Sequence, residues 1–209
     1  MMGGRVAHLH GYDAAKRALD IVCGLLLLVA ASPLLTVAMF AVWLDSGGPV
    51  IHRRRVVGRG GRVFDAFKVR TMRHDADDVA RRDDELHRLA SLSLKSRGDP
   101  RVTRVGRLLR RTSVDELPQV FNVLRGEMSL VGPRMITPDE LPAWGATSEL
   151  LLAVRPGITG LWQVSGRQRL TRDERIRLDG MYVQRMSLAL DLSILARTIP
   201  AVLSGRGAL

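Results

Sequence analysis

Charge disappears from the chain between Asp20 and Asp45, and residues 21–44 form an apolar run of about 24 positions, long enough as a helix to cross a bilayer. Ser32 and Pro33 interrupt this run near its middle. Proline removes a backbone donor and clashes with the preceding turn, so the pattern predicts a sharp bend or break there. The Ser32 hydroxyl is placed to satisfy a carbonyl freed at that point, as a membrane interior requires. Lys16 and Arg17 precede the run, and Arg53, Arg54 and Arg55 follow it. The positive-inside bias is met best when both ends face the cytoplasm. The stretch 13–45 therefore reads as a re-entrant helix-break-helix hairpin behind a flexible lead, residues 1–12. A kinked spanning helix is the competing reading.

Beyond Gly47-Gly48-Pro49 the period changes. β-Branched residues and alternation around Gly58-Arg59-Gly60-Gly61 predict a hairpin with strands near 50–57 and 63–70. Lys68 and Arg70 alternate there with Phe67 and Val69, a half-solvated strand that can also aim two cations at an anion. Residues 74–95 are helical in composition and strongly charged. Asp75, Asp77 and Asp78 read as a solvated face rather than a metal site. Asp99-Pro100 signals a helix start ahead of Leu108 and Leu109, a short helix is expected over 118–126, and MSLVGP reads as a short buried strand. Residues 138–152 offer one or two brief helices with Trp144, and 172–186 a helix of mixed charge. The closing segment, rich in Leu and Ile from Leu188 to Leu203, suits either a core helix or one lying in the membrane interface. Repeats and linkers are absent, so one domain follows the apolar run.

Composition narrows the partners. Thirty-two Lys and Arg against 21 Asp and Glu leave a net charge of +11 across 209 residues, which selects phosphates, nucleic acid or acidic headgroups. The single cysteine, Cys23, lies inside the apolar run and excludes an intrachain disulfide framework or a cysteine zinc cluster.

Candidate chemistry concentrates in residues 104–134, RVGRLLRRTSVDELPQVFNVLRGEMSLVGPR. Asp115 and Glu116 sit between a basic segment ending Arg110-Arg111 and a turn at Gly132-Pro133-Arg134. A carboxylate among guanidiniums stays ionised and can serve as nucleophile or metal ligand. The same arginines hold phosphate oxygens in bidentate pairs. Thr112 and Ser113 ahead of the two acids also fit the start of a helix, with the acids complementing its dipole, and the acidic pair alone does not choose between these readings. Residues 154–167, VRPGITGLWQVSGR, add Arg155, Arg167 and glycines that let amides approach an anion.

Taken in order, the KR-ALD segment with its apolar run broken at SP, then FKVRTM, DPRVTRVGRLLRRTSVDELPQ, LVGPR, VRPGITGLWQVSGR and YVQRMSLALDL resemble the bacterial sugar transferase family, the monotopic phosphoglycosyl transferases. The similarity runs from about residue 16 to 207 and is closest to the minimal form without additional N-terminal membrane helices. It implies an α+β, mostly helical fold: the membrane hairpin, then a small cytoplasmic catalytic domain, residues 46–209, with interfacial amphipathic helices. It implies transfer of a sugar-1-phosphate from a nucleotide sugar, a UDP-hexose such as UDP-galactose or UDP-glucose, to undecaprenyl phosphate at the cytoplasmic face of the inner membrane, the first step of exopolysaccharide or capsule assembly. By resemblance Asp115 is the nucleophile and Glu116 binds Mg2+. Arg110, Arg134 and Arg167, with Pro133, are the phosphate-binding positions, and Lys68, Arg70 and Arg155 are weaker candidates.

Three positions depart from the family pattern. Met135 replaces a second proline after Gly-Pro-Arg, and Met186 and Ala189 stand where bulkier or aromatic residues are expected. The first predicts a looser phosphate turn. Two other classes compete: a membrane-anchored glycosyltransferase that releases a nucleoside diphosphate, and a tethered basic module that holds nucleic acid. Arginines interleaved with Gly-Pro turns favour a compact phosphate site over a groove that tracks a strand, so no nucleic acid is expected. A homodimer is compatible with all of this.

Overall fold

The computed structural model describes residues 2–76, 99–145 and 147–203. Asp77, Asp78 and most of the charged segment expected to be helical lie outside them. Asp75 pairs with Arg73 on the surface, its Oδ1 3.0 Å from Nε.

Helix α1, Met2–Ser46, takes up the whole apolar run. Its buried or half-buried positions Gly24, Leu28, Ala31, Leu35, Ala38 and Val42 recur three and four apart, which keeps them on one face. That phase is the same on both sides of Pro33, so the expected break does not divide the helix. The reason is local. Pro33 has no N–H for the carbonyl of Val29, and Ser32 Oγ donates to that carbonyl instead, at 2.9 Å. Thr36 Oγ1 then donates to Ser32 O at 2.9 Å.

Much of α1 is left outside the fold. Only 22% of its most apolar stretch is buried, while Val22, Leu26, Val29, Val37, Phe40 and Leu44 are exposed. A soluble core helix would bury such residues. This is one helix long and apolar enough to cross a membrane, joined to a mostly helical α+β domain.

Polar side chains fasten the start of α1. Lys16 Nζ lies 2.7 Å from Asp191 Oδ2, and Tyr12 Oη donates to the same oxygen at 2.9 Å. Arg17 donates to the carbonyls of Val123 and Leu124. Asp20 Oδ1 accepts from Ser129 Oγ and Leu130 N, both at 2.9 Å. The far end is fastened too, since Arg70 Nη2 donates to Ser46 Oγ at 2.9 Å and to Gly47 O.

Strands β1, Ile51–Val57, and β2, Val63–Val69, form the expected antiparallel hairpin, with Arg54 opposite Ala66. Helix α2 is Arg104–Thr112 and α3 is Gln119–Arg125. β3, Ser129–Val131, pairs in parallel with β4, Gly157–Thr159, a partner for the MSLVGP strand that the sequence did not reveal. Their approach needs two glycines: a Cβ on Gly132 would lie 2.7 Å from Arg155 O, and one on Gly157 would lie 2.1 Å from Gly132 N. Short helices α4, Thr147–Leu152, and α5, Leu161–Ser165, lead to α6, Arg172–Arg185, opened by a Thr171–Glu174 capping box. The last helix, α7, is Leu188–Leu203. It buries Asp191 and Ile194 and exposes Leu192 and Ile199, so it both packs on the core and shows an apolar outer face.

Two apolar clusters hold these elements together. The larger gathers Val123, Leu130, Val131, Trp144, Tyr182 and Ile194. The smaller joins Leu35, Ala38 and Val42 of α1 to Val69 and Leu109.

Candidate active site

Asp115 owes its position to how α2 stops. Ser113 adopts a left-handed conformation, φ 58°, uncommon for a residue with a side chain, and its N–H reaches back to Arg110 O. The chain reverses into a single 3-10 turn, Val114–Glu116. Thr112 and Ser113 therefore do not cap a helix beginning at Asp115. Thr112 Oγ1 donates backwards, to Leu108 O at 2.9 Å, and Ser113 makes no side-chain cap. Asp115 faces inward, 3% exposed. Its neighbour Glu116 lies at the rim, where Lys68 Nζ approaches Oε1 to 2.7 Å.

Cations surround the pair. Arg110 is anchored by Nε donating to Thr71 Oγ1 at 2.8 Å. Burial draws its guanidinium below its ordinary value, and the carboxylates of Asp115, Asp99 and Glu116 draw it back. Arg167 is also lowered by burial and opposed by Glu116. It sits on a left-handed backbone, φ 55°, beyond the Gly166 turn. Arg54 is lowered by burial first, then by Arg134, with Glu140 and Glu116 acting against it.

A second arc adjoins the first through Arg54. Glu140 Oε2 lies 3.5 Å from Arg54, and Glu140 Oε1 lies 3.6 Å from Arg134. Arg134 and Arg175 both rest against the Trp162 ring, 5.9 and 5.2 Å from its centroid. Asp179, fully buried, accepts from Arg134 N at 3.2 Å. Burial pushes its carboxyl up to about 7, against the pull of Arg134.

The Gly-Pro-Arg turn is pinned at three consecutive residues: Gly132 N donates to Thr159 O, Pro133 O accepts from Gly157 N, and Arg134 N donates to Asp179. Met135 packs against the larger core cluster, so its side chain has a place in the fold.

Of the positions picked out in the sequence, Asp115, Glu116, Lys68, Arg110 and Arg167 converge, and Arg134 with Pro133 joins them through Arg54. Two do not. Arg70 donates through Nη2 to the end of α1, and Arg155 donates to Gly126 O at 2.8 Å and lines a separate cavity. Arg54, Glu140, Arg175 and Asp179 were missed. Only Arg54 carried a signal, since it alternates on the same strand face as the position paired with Lys68.

No group of three or more His, Cys, Asp or Glu residues suited to a metal occurs among the described residues. Glu116 beside Asp115 is nevertheless a fitting donor for Mg2+, which commonly takes one or two carboxylates and completes its shell with substrate phosphates and water.

A buried acid with Arg110 at its side and a lysine and further arginines around the neighbouring Glu116, in a domain that carries a long apolar helix, is a site suited to holding phosphate groups. Residues 11–205 match the family model described as bacterial sugar transferase, and the chain belongs to that family. It is 44% identical over 197 residues to the undecaprenyl-phosphate galactose phosphotransferase of Salmonella typhimurium, covering 92% of this chain and 41% of the relative. It is 42% identical over 197 residues to the exopolysaccharide production protein ExoY of Sinorhizobium fredii, covering 92% and 87%. It is 43% identical over 206 residues to the UDP-glucose:undecaprenyl-phosphate glucose-1-phosphate transferase of Caulobacter vibrioides, covering 92% and 71%. The chain thus spans about two fifths of the Salmonella relative's length.

Proposed function

We propose that this chain transfers a hexose-1-phosphate, galactose or glucose, from a UDP-sugar to undecaprenyl phosphate and so starts an exopolysaccharide repeat. The observation that carries the reading is Asp115, buried with Arg110 at its side and Glu116, Lys68 and Arg167 around it. Relatives over 40% identical are named for this transfer to undecaprenyl phosphate.

The residues divide the work. Asp115 Oδ attacks the sugar-bearing phosphorus, the bond to the bridging oxygen breaks, and UMP leaves with that oxygen. An acyl phosphate remains, and an oxygen of the lipid phosphate attacks its phosphorus, returning the carboxylate and forming the lipid diphosphate sugar. Splitting one transfer into two displacements gives covalent catalysis with ping-pong kinetics. Arg110, Arg167 and Lys68 neutralise phosphate charge in a site where they are already oriented. Arg134, held by Asp179 and Trp162, extends that cradle. Mg2+ held by Glu116, when bound, would neutralise charge on the leaving diphosphate oxygens.

The membrane seating we propose is re-entrant, with the domain on the cytoplasmic face of the inner membrane. What supports it is that both ends of the apolar run bind one domain, Asp20 through β3 and Ser46 through Arg70. Packing continues on both sides of Pro33, Gly24 against Leu124 and Ala38 within the cluster of Val69 and Leu109. The turn-back then occurs by bending at Pro33 within a continuous helix. It holds Asp115 at headgroup depth, where a long-chain acceptor presents its phosphate.

Incubating the purified chain with UDP-galactose or UDP-glucose labelled in the β-phosphate tests the reading. Release of UMP with label retained on a peptide containing Asp115 is expected when the acceptor is withheld. Release of UDP, or label on another residue, would overturn it.

A further inference from the structure

A cavity of about 500 Å³ opens at the turn end of the β1–β2 hairpin, away from the Asp115 cluster. Its charged walls are Arg59, Arg62, Arg125 and Arg155, against the one carboxylate of Glu127, and Phe64 adds an apolar wall. Glu127 is occupied by Asn122, whose Nδ2 donates to it at 2.6 Å. Arg155 is set by its bond to Gly126 O. None of these residues belongs to the proposed catalytic cluster. Along β2, Val63 at the cavity and Lys68 at the cluster are five residues apart, about 17 Å of extended strand.

On the membrane seating proposed above, the neighbours of this cavity put it close to where the apolar run begins. A Cβ on its lining residue Gly126 would lie 3.6 Å from Arg17 Nη2, and Arg17 is one helical turn before the apolar run begins. Arg59 Nη1 lies 3.1 Å from Asp13 Oδ2, on that same helix ahead of the apolar run. On α3, Phe121 is exposed and Arg125 follows four residues later. That spacing puts an apolar ring and a guanidinium on one helix face, the arrangement of a side chain pair that straddles the acyl and headgroup layers.

We infer that this cavity is a subsite for a phosphate ester, filled by the headgroup of an acidic phospholipid of the surrounding bilayer. Guanidiniums supply bidentate contacts to the phosphate oxygens, while Phe64 gives the acyl chains an apolar wall. The subsite stands apart from the donor and acceptor phosphates of the reaction and uses the membrane seating proposed above.

Lipid binding to the full chain in neutral detergent micelles provides the test, read by native mass spectrometry. Short-chain phosphatidylglycerol, phosphatidylcholine with the same chains, and glycerol 1-phosphate are titrated separately. Phosphatidylglycerol is expected to bind at one site, with phosphatidylcholine and glycerol phosphate far weaker. Each arginine facing an anionic lipid surface is worth about fivefold, so R62Q/R125Q, both exposed positions, should weaken that binding about 25-fold and leave turnover in neutral micelles unchanged. The charge-matched control R172Q/R177Q, on the exposed side of α6, should leave it intact. Equal affinity in wild type and R62Q/R125Q, or equal weakening in the control, would overturn the subsite. Glycerol phosphate binding as tightly as the lipid would overturn its assignment to the membrane.

Discussion

Lys68 Nζ lies 2.7 Å from Glu116 Oε1 across the mouth of the site, the strand residue held against the rim carboxylate beside Asp115. Both side chains keep some solvent, 17% and 28% exposed, so the pair adds little stability, about 1 kcal/mol at most. Its value lies in presenting a cation and a carboxylate together at the rim of an arginine cluster. Lys68→Met should therefore leave the melting temperature almost unchanged while lowering kcat/KM about a hundredfold, the scale of losing one preorganised electrostatic partner. Steady-state kinetics beside thermal denaturation check this. A large melting shift with normal kinetics would assign Lys68 to the fold instead.

Asp115→Asn removes the proposed nucleophile while keeping the side chain's size. Turnover should fall on the order of 10⁴-fold or more, the scale for deleting a covalent nucleophile, and no labelled peptide should form from the donor. Donor binding should survive, because Arg110, Arg134 and Arg167 remain. Equilibrium binding of the UDP-sugar beside the turnover assay separates these effects.

Asp179 gives a pH dependence of definite sign. Its carboxyl titrates near 7 in the fold and near 3.9 in the unfolded chain. Between those values the folded state holds a proton that the unfolded state has released, so stability falls as pH rises from about 4 to about 7. Above that window the burial penalty is fully present. Asp179→Asn keeps an oxygen for Arg134 N and carries no charge. The variant should therefore melt higher than wild type at pH 8, with the two converging towards pH 4. Melting temperatures across that range decide it, and parallel curves would count against the assignment.

These sites also show where sequence reading stops. The apolar run, the β1–β2 hairpin, α6 and the cation-acid-arginine order are local signals, and each was legible. Ser113 looked like a cap for a following helix, but its left-handed conformation instead ends α2, with its N–H turned back to Arg110 O. The β3–β4 pair joins segments 28 positions apart through Ser129 and Gly157, and parallel pairing leaves no turn motif between its strands. Arg70 and Arg155 stood with Lys68 as the weaker phosphate-binding candidates in sequence. Tertiary contacts sent one to the end of α1 and the other to the hairpin cavity. Asp179 looked like any acid on a mixed-charge helix, and only the packing of α6 under the Gly-Pro-Arg turn reveals it.

That turn rests on a backbone contact with no room for a side chain. Gly132→Ala would place a methyl group 2.7 Å from both Arg155 O and Gly157 N. Backbone must move to relieve it, at a cost of about 1–3 kcal/mol, and the movement carries Arg134 away from Asp179. Activity should drop more than the melting temperature implies, with KM for the nucleotide sugar rising. Kinetics at a temperature well below both melting points test it.

The last expectation concerns Ser32 and Pro33, and it is a statement about coupling. Pro33 denies Val29 O its usual donor, and Ser32 Oγ replaces that donor at 2.9 Å. In a bilayer no water can take over, so Ser32→Ala should destabilise the chain by about 1–3 kcal/mol, the cost of an unsatisfied buried acceptor. Restoring an N–H with Pro33→Ala gives Val29 O a backbone partner, and the serine then has nothing left to satisfy. Ser32→Ala in the Pro33→Ala background should accordingly cost almost nothing, a non-additivity of about 1 kcal/mol or more between adjacent positions. Thermal inactivation of the four variants in one lipid mixture measures the coupling. Additive effects would mean that the hydroxyl serves another purpose. Cysteine labelling of the N-terminus, in a Cys23→Ser background, would then report separately whether the bend at Pro33 is what keeps both ends of α1 on one side.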